Sequence, residues 1–120
     1  VSIRNRACLY LRTPQLLIEY QRQRLIDFAQ QKEMMVVHEI TEYGSACAPH
    51  RPCVDALLRM ADAGAFDIVI AANTSRIARR PYDLVLIMSR LRKAGVEIWT
   101  VDTQQRIPYE LLDIWESLAN

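Results

Sequence analysis

The sequence predicts an α/β domain: a mainly parallel sheet flanked by helices on both faces. Three observations carry that expectation. Short apolar runs at 6–12, 34–40, 66–72 and 96–102 read as strands, and strands buried on both faces need no polar alternation. Segments with apolar residues at helical spacing lie between and after them, at 15–31, 53–65, 80–95 and 107–119. Strands that alternate with helices of that length suit parallel pairing through crossover helices.

Taken in order, "RACLYLR" (6–12) is apolar enough for a central strand. Pro14 follows and suits the first turn of a helix, where its missing N–H has no partner to lose. The helix over 15–31 places Leu17, Tyr20, Leu25 or Ile26, and Phe28 on one side. "MMVVHEI" (34–40) reads as the second strand, and "TEYGSACAPHRP" (41–52), with Gly, Ser and two Pro, as a loop. The helix over 53–65 closes at Gly64. The strand over 66–72 leads through 73–80 to a helix that opens near Pro81 and closes at Gly95. A strand over 96–102 and a last helix over 107–119, with Pro108 near its start, complete the chain.

The 120 residues are 51% hydrophobic and 24% charged, enough for one buried core and too few for two, so 1–120 is expected to be a single domain. No apolar run approaches the length needed to span a bilayer, and the N-terminus lacks the apolar core of a signal peptide. An odd count of cysteines (Cys8, Cys47 and Cys53) without a secretion signal fits a reducing cytoplasm, and no membrane partner is expected. The net charge of +1 does not by itself demand nucleic acid. The basic residues, however, are Arg except at Lys32 and Lys93. Arg binds phosphate and carboxylate through a planar fork. A GC-rich genome would give the same bias.

Ligands of such sheets bind at the carboxyl ends of the strands. Those ends carry Arg12 and Thr13, the 44–51 loop with Arg51, and the stretch with Arg76, Arg79 and Arg80. Converging guanidinium groups repel one another unless an anion lies between them, and phosphate is a common one. The other reading is a scatter of surface arginines paired with Asp and Glu. "GSACAPHRPC" offers Cys47, His50 and Cys53 as metal ligands, but zinc needs a fourth ligand and no matching pair occurs elsewhere. A polar loop with incidental thiols, and no metal, is therefore expected, with His38 packed or hydrogen-bonded in its strand. No GxxxxGK[ST], GxGxxG or GxSxG occurs, so no nucleotide cofactor is expected. Trp99 and Trp115 read as core or interface anchors.

The order "YLR" (10–12), "YQRQRLIDFA", "YGSACAPHRP", "AGAFDIVIAANTSRIARRPYDL" and "AGVEIWTVD" resembles the N-terminal catalytic domain of serine recombinases, the resolvase and invertase family. The resemblance runs from about Ala7 to about Asp102. It implies a site in which a serine just after the first strand attacks a DNA phosphodiester and becomes covalently linked to it. Arginines hold the scissile phosphate, and no metal or cofactor takes part. By this resemblance Arg12 matches the first-strand arginine, Arg51 the arginine of the loop's Arg-Pro, and Arg76 and Arg79 the pair of the family's "DRLxR". Ser45 matches an accessory serine, and Arg80 is peripheral.

The departures are specific. Pro14 stands where the nucleophilic serine would be, and the loop after it is shortened. Thr13, the nearest hydroxyl, is hindered and one position out of register. Ser75 stands where the family has Asp, and Ala46 replaces the Gly after Ser45. The expectation is a degenerate site: a domain associated with site-specific DNA recombination that no longer cleaves. It would act as a regulatory or assembly partner, bind DNA through the phosphate backbone, and form homo- or hetero-oligomers with recombinase-like subunits. One alternative is an active recombinase that uses Thr13 or Ser45; another is a phosphate- or nucleotide-binding domain with no DNA role. No separate DNA-binding domain fits in 1–120. Residues 107–120 read as a start of the family's dimerisation helix, with Ile107, Leu111, Ile114, Trp115 and Leu118 as an apolar stripe. The same stripe suits packing on the chain's own sheet.

Overall fold

The computed structural model describes residues 4–43 and 51–119, with the side chains of 111, 115, 116, 118 and 119 excepted. Five strands form one sheet: β1 (Arg6–Arg12), β2 (Met35–Glu42), β3 (Ile68–Ala71), β4 (Glu97–Thr100) and β5 (Gln105–Arg106), in the order β2-β1-β3-β4-β5. The first four are parallel to their neighbours, and β5 returns antiparallel beside β4. The helices are α1 (Ile18–Gln31), α2 (Pro52–Asp62), α3 (Thr74–Ile77), α4 (Pro81–Lys93) and α5 (Glu110–Ala119). The α/β architecture expected from the alternating pattern is thus present. Strand order reverses between β1 and β3, which opens a crevice at the carboxyl ends of those two strands.

Side chains alternate across each strand, so β1 feeds two cores at once. Ala7, Leu9 and Leu11 pack with Ile68 and Ile70 against Ile18, Leu25, Phe28 and Ala29 of α1. Cys8 and Tyr10 pack with Val69, Ala71 and Ile98 against α2, α4 and α5, through Leu57, Leu91 and Leu112. Arg12 shares the parity of Cys8 and Tyr10, so it stands on the α2–α4 side of the sheet.

Two glycines sit where the sequence places them. Gly64 (φ +76°) follows α2 and Gly95 (φ +75°) follows α4. Each lets the next N–H reach back to the helix, Ala65 to the Met60 carbonyl at 3.0 Å and Val96 to the Leu91 carbonyl at 2.9 Å.

Several expectations need correction. Pro14 opens a 3₁₀ turn, Gln15–Leu17, and α1 begins only at Ile18. The tighter turn rotates the helix, so its buried face is Ile18, Gln21, Leu25, Phe28 and Ala29, while Leu17 and Tyr20 are exposed. The second strand runs on through Glu42, and the next helix starts at Pro52, which shortens the loop at both ends. His38 is exposed on the edge strand, with its ring edge-on to Phe66 at 6.3 Å. Trp99 is half-buried, tilted against Phe28 at 6.4 Å. On the last helix Leu112 takes the core position, while Ile114 is exposed; the side chains of Leu111, Trp115 and Leu118 lie outside the described residues. No helix among the described residues is long and apolar enough to cross a membrane.

Candidate functional site

The carboxyl ends of β1, β2 and β3 carry the site. Tyr10, Arg12 and Glu42 alternate inward at the ends of two adjacent strands, and all three are buried. Arg12 pairs directly with Glu42 in the strand register. Across the switch point, the Ala71 end of β3 turns into α3, which carries Ser75 and Arg76. Arg12 bridges the crevice: its Nε donates to the Arg76 carbonyl at 2.9 Å and an Nη to the Ser75 carbonyl at 3.0 Å.

Arg51 closes the site from the other side. It immediately precedes α2, and its guanidinium is only 10% exposed. It donates to Glu42 at 2.6 and 3.3 Å, to the Tyr10 hydroxyl at 3.1 Å, and to the carbonyl of Ile77. Burial works against the charge on Arg51, but hydrogen bonding and charge from Glu42, together with Tyr10, outweigh it and raise the pKa. Burial and the Glu42 carboxylate push the Tyr10 phenol well above its usual range. Tyr10 therefore stays protonated, a neutral donor in a charged cluster.

Arg12 shows the opposite balance. Burial lowers its pKa first, and the positive charges of Arg76, Arg79 and Arg51 lower it further, against the opposing pull of Glu42. A guanidinium remains charged through any such shift, so the direction reports burial first and the convergence of like charge second. Four guanidinium groups crowd one edge, and the carboxylate within reach, Glu42, is engaged by Arg51. Arg76 adds a second sign: its Nε is buried without a hydrogen-bond partner. A buried donor of this kind carries a desolvation cost that an anion would offset.

Of the residues singled out from sequence, Arg12, Arg51, Arg76 and Arg79 share this edge. Thr13 follows Arg12 and is only 4% exposed, whereas Pro14 is exposed. Arg79 and Arg80 are exposed, and Arg80 precedes the first turn of α4. The Ser75 hydroxyl bonds Asn73 Oδ1 at 2.6 Å. Ser45, Ala46, Cys47 and His50 lie outside the described residues, and with them most of the proposed metal set. Among the described residues no group of three His, Cys, Asp or Glu could hold a metal ion. Cys53 donates to the Thr41 carbonyl at 3.5 Å, and burial raises its thiol pKa.

Two residues here were missed in the sequence. Glu42 lies past the apolar run that marks the second strand, in the segment that the sequence reads as loop. Asn73 was passed over, although Asn three residues before Arg76 is a helix-capping pattern.

The family model described as the resolvase N-terminal domain matches residues 9–119. Among solved structures, the chain is similar to the N-terminal catalytic domain of TP901-1 integrase, with a TM-score of 0.82 and 20% identity over 95% of this chain and 93% of that one. It is similar to a resolvase family site-specific recombinase from Streptococcus pneumoniae, with a TM-score of 0.79 and 18% identity over 95% and 85% of the two chains. It is also similar to the C-terminal catalytic domain of ISC1926 TnpA, an IS607-like serine recombinase, with a TM-score of 0.74 and 22% identity over 94% and 79%. At such identities the likeness is one of fold. No curated protein sequence matches the chain. The family match runs from within β1 to the end of α5, most of the chain, and on that extent the chain belongs to the resolvase N-terminal domain family.

Proposed function

We propose that this domain holds DNA by its phosphates without cutting it, and serves as a regulatory or assembly partner of recombinase-like subunits in site-specific recombination. The observation that carries the reading is the pairing of an arginine-rich edge with a missing nucleophile. Position 14 is an exposed proline, which has no hydroxyl, and the adjacent Thr13 is almost fully buried, at 4% exposure. Strand cleavage by nucleophilic catalysis needs an oxygen that can reach phosphorus in line. Holding a phosphate needs only the guanidinium groups, which are still in place. No metal or cofactor enters this reading.

The test is to incubate the domain with supercoiled DNA and a recombinase-like subunit, denature, and look for protein–DNA adducts by mass. Wild type should give none, while it co-sediments with the subunit and binds DNA in a salt-dependent way. A wild-type adduct mapped to Thr13 or Ser45 would overturn the proposal in favour of an active recombinase. Tight nucleotide binding without DNA binding would favour a phosphate-site domain instead.

A further inference from the structure

Arg76 is carried by α3, a helix of one turn, Thr74–Ile77, and Arg79 follows just past its end. A single turn fixes several dihedrals for very few hydrogen bonds, so it is not stable by itself. The backbone supplies bonds from the Ala78 N–H to the Thr74 carbonyl at 3.1 Å and from the Arg76 N–H to the Asn73 carbonyl at 3.3 Å. The rest of the hold comes from side chains. At the start, Asn73 is extended (φ −160°, ψ 173°), and its Oδ1 accepts the Arg76 backbone N–H at 3.2 Å and the Ser75 hydroxyl at 2.6 Å. At the end, Arg12 takes the Ser75 and Arg76 carbonyls, and Arg51 takes that of Ile77, whose side chain is in the core. The backbone of Arg76 is thus bonded at both its N–H and its carbonyl. Its side-chain Nε, by contrast, is buried without a partner.

We infer that Asn73 is a positioning residue, which caps α3 so that Arg76 meets a DNA phosphate in one backbone arrangement. The inference rests on the reading that these arginines hold phosphate. An amide suits the place. It provides an acceptor for two donors and adds no negative charge beside Arg76 and Arg79, where a carboxylate would compete with phosphate for the same guanidinium groups. The same Asn73 oxygen also accepts the Ser75 hydroxyl, so Ser75 helps to hold the cap.

The experiment titrates a short fluorescent DNA duplex at low salt with wild type, Asn73→Ala, Asn73→Gly, Asn73→Ser, Arg76→Ala and the Asn73→Ala/Arg76→Ala double variant. Loss of the cap should weaken binding about fivefold in Asn73→Ala, which corresponds to ~1 kcal/mol. Asn73→Gly also lacks the side-chain acceptor and disturbs a helix start less than alanine does, so it should weaken binding in the same direction by a smaller factor if the alanine variant folds poorly. Asn73→Ser keeps a neutral acceptor and should restore affinity. With Arg76→Ala already present, Asn73→Ala should have no further effect, because the two act as a unit. The Arg76 Nε–Hε resonance should shift with DNA in wild type and Asn73→Ser, and fail to shift in Asn73→Gly. An affinity loss from Arg76→Ala with none from Asn73→Ala or Asn73→Gly overturns the inference and leaves the phosphate reading intact. Equal losses from Asn73→Ala in both backgrounds do the same, because they would reflect general loosening. If Arg76→Ala binds like wild type, or wild type does not bind, the phosphate reading falls and the inference falls with it.

Discussion

The two edges of the sheet use arginine in opposite ways. At the amino edge, Arg6 wraps Asp67 with three hydrogen bonds of 3.1 Å, one from its backbone N–H and two from its guanidinium. The spare donors go to carbonyls of the helix-ending glycines, from Arg6 to Gly64 and from Arg4 to Gly95. The side chains of Arg4 and Arg6 are 62% and 42% exposed, so water screens what Asp67 does not neutralise. At the carboxyl edge Arg12 is buried and the Arg51 side chain is 10% exposed, Arg76 and Arg79 add like charge around Arg12, and Glu42 hydrogen-bonds Arg51. On the proposed reading, what separates the two edges is the crowding of several guanidinium groups around one buried arginine, Arg12. The residue type is the same at both edges.

The largest test falls on Glu42, the carboxylate that keeps the carboxyl edge folded. The side chains of Glu42 and Arg51 are 8% and 10% exposed, and removing one partner leaves the other charge buried. Glu42→Ala should cost about 3 kcal/mol in urea unfolding. Glu42→Gln should cost less, because a neutral acceptor remains for Arg51 and Tyr10. A loss below about 1 kcal/mol for Glu42→Ala would mean that Arg51 finds water. The contrast between a dry edge and a wet edge would then fail.

The next test falls on the amino edge. Hydrogen bonds from Arg6 hold the Asp67 carboxyl below the usual carboxylate range, against the effect of burial, with the charges of Arg6 and Arg4 adding to them. A depressed folded pKa stabilises above the unfolded value, and that contribution is lost as pH falls through the folded pKa. Asp67→Asn should therefore destabilise by about 2 kcal/mol at neutral pH. The difference from wild type should shrink as the pH drops below about 4, where the unfolded carboxyl protonates. Urea midpoints against pH check the sign, and DNA affinity should not move. A constant difference down to strong acid would show that packing, and not charge, holds this edge.

How much of this was legible in the sequence follows from what each element rests on. The strands and long helices were visible because apolar period and glycine stops are local signals: Ile68–Ala71 has one hydrophobic reading, and Gly64 and Gly95 fall where helices must turn. The shorter pieces carry no period. The single turn of α3 is held by Asn73, Arg12 and Arg51, and β5 is two residues that exist only beside β4. The face of α1 was misjudged, because a three-residue 3₁₀ turn shifts the phase of every later position. At the site, the arginines were visible as unbalanced charge at strand ends. Glu42 and Asn73 were not, because their roles depend on what lies across the crevice. The Glu42–Arg51 pair spans nine positions, and Arg12 reaches carbonyls more than sixty positions away.

The smallest effect probes whether backbone strain follows the same division. Glu33, just past α1 at the amino edge, sits at φ 58°, in the left-handed region that α2 and α4 fill with glycine. The turn itself is well bonded, with Met34 N–H on the Ala29 carbonyl at 2.8 Å and the Asn5 side chain on the Glu33 carbonyl at 3.2 Å. Those bonds belong to the backbone and survive substitution. A non-glycine residue costs about 1 kcal/mol or more in this conformation, and part of the gain from glycine is returned as unfolded-chain entropy. Glu33→Gly should thus stabilise by about 0.5 kcal/mol, raising the melting temperature by about 2 °C. DNA affinity should be unchanged, because this turn is at the opposite edge from the arginines. Strain at a functional site persists for the sake of a ligand. Glu33 lies at the end of the sheet away from Arg12, Arg51, Arg76 and Arg79, so relieving the strain should improve the fold at no cost to binding. A fall in DNA affinity with Glu33→Gly would show that the amino edge is also part of the grip, and the division between the two edges would not hold.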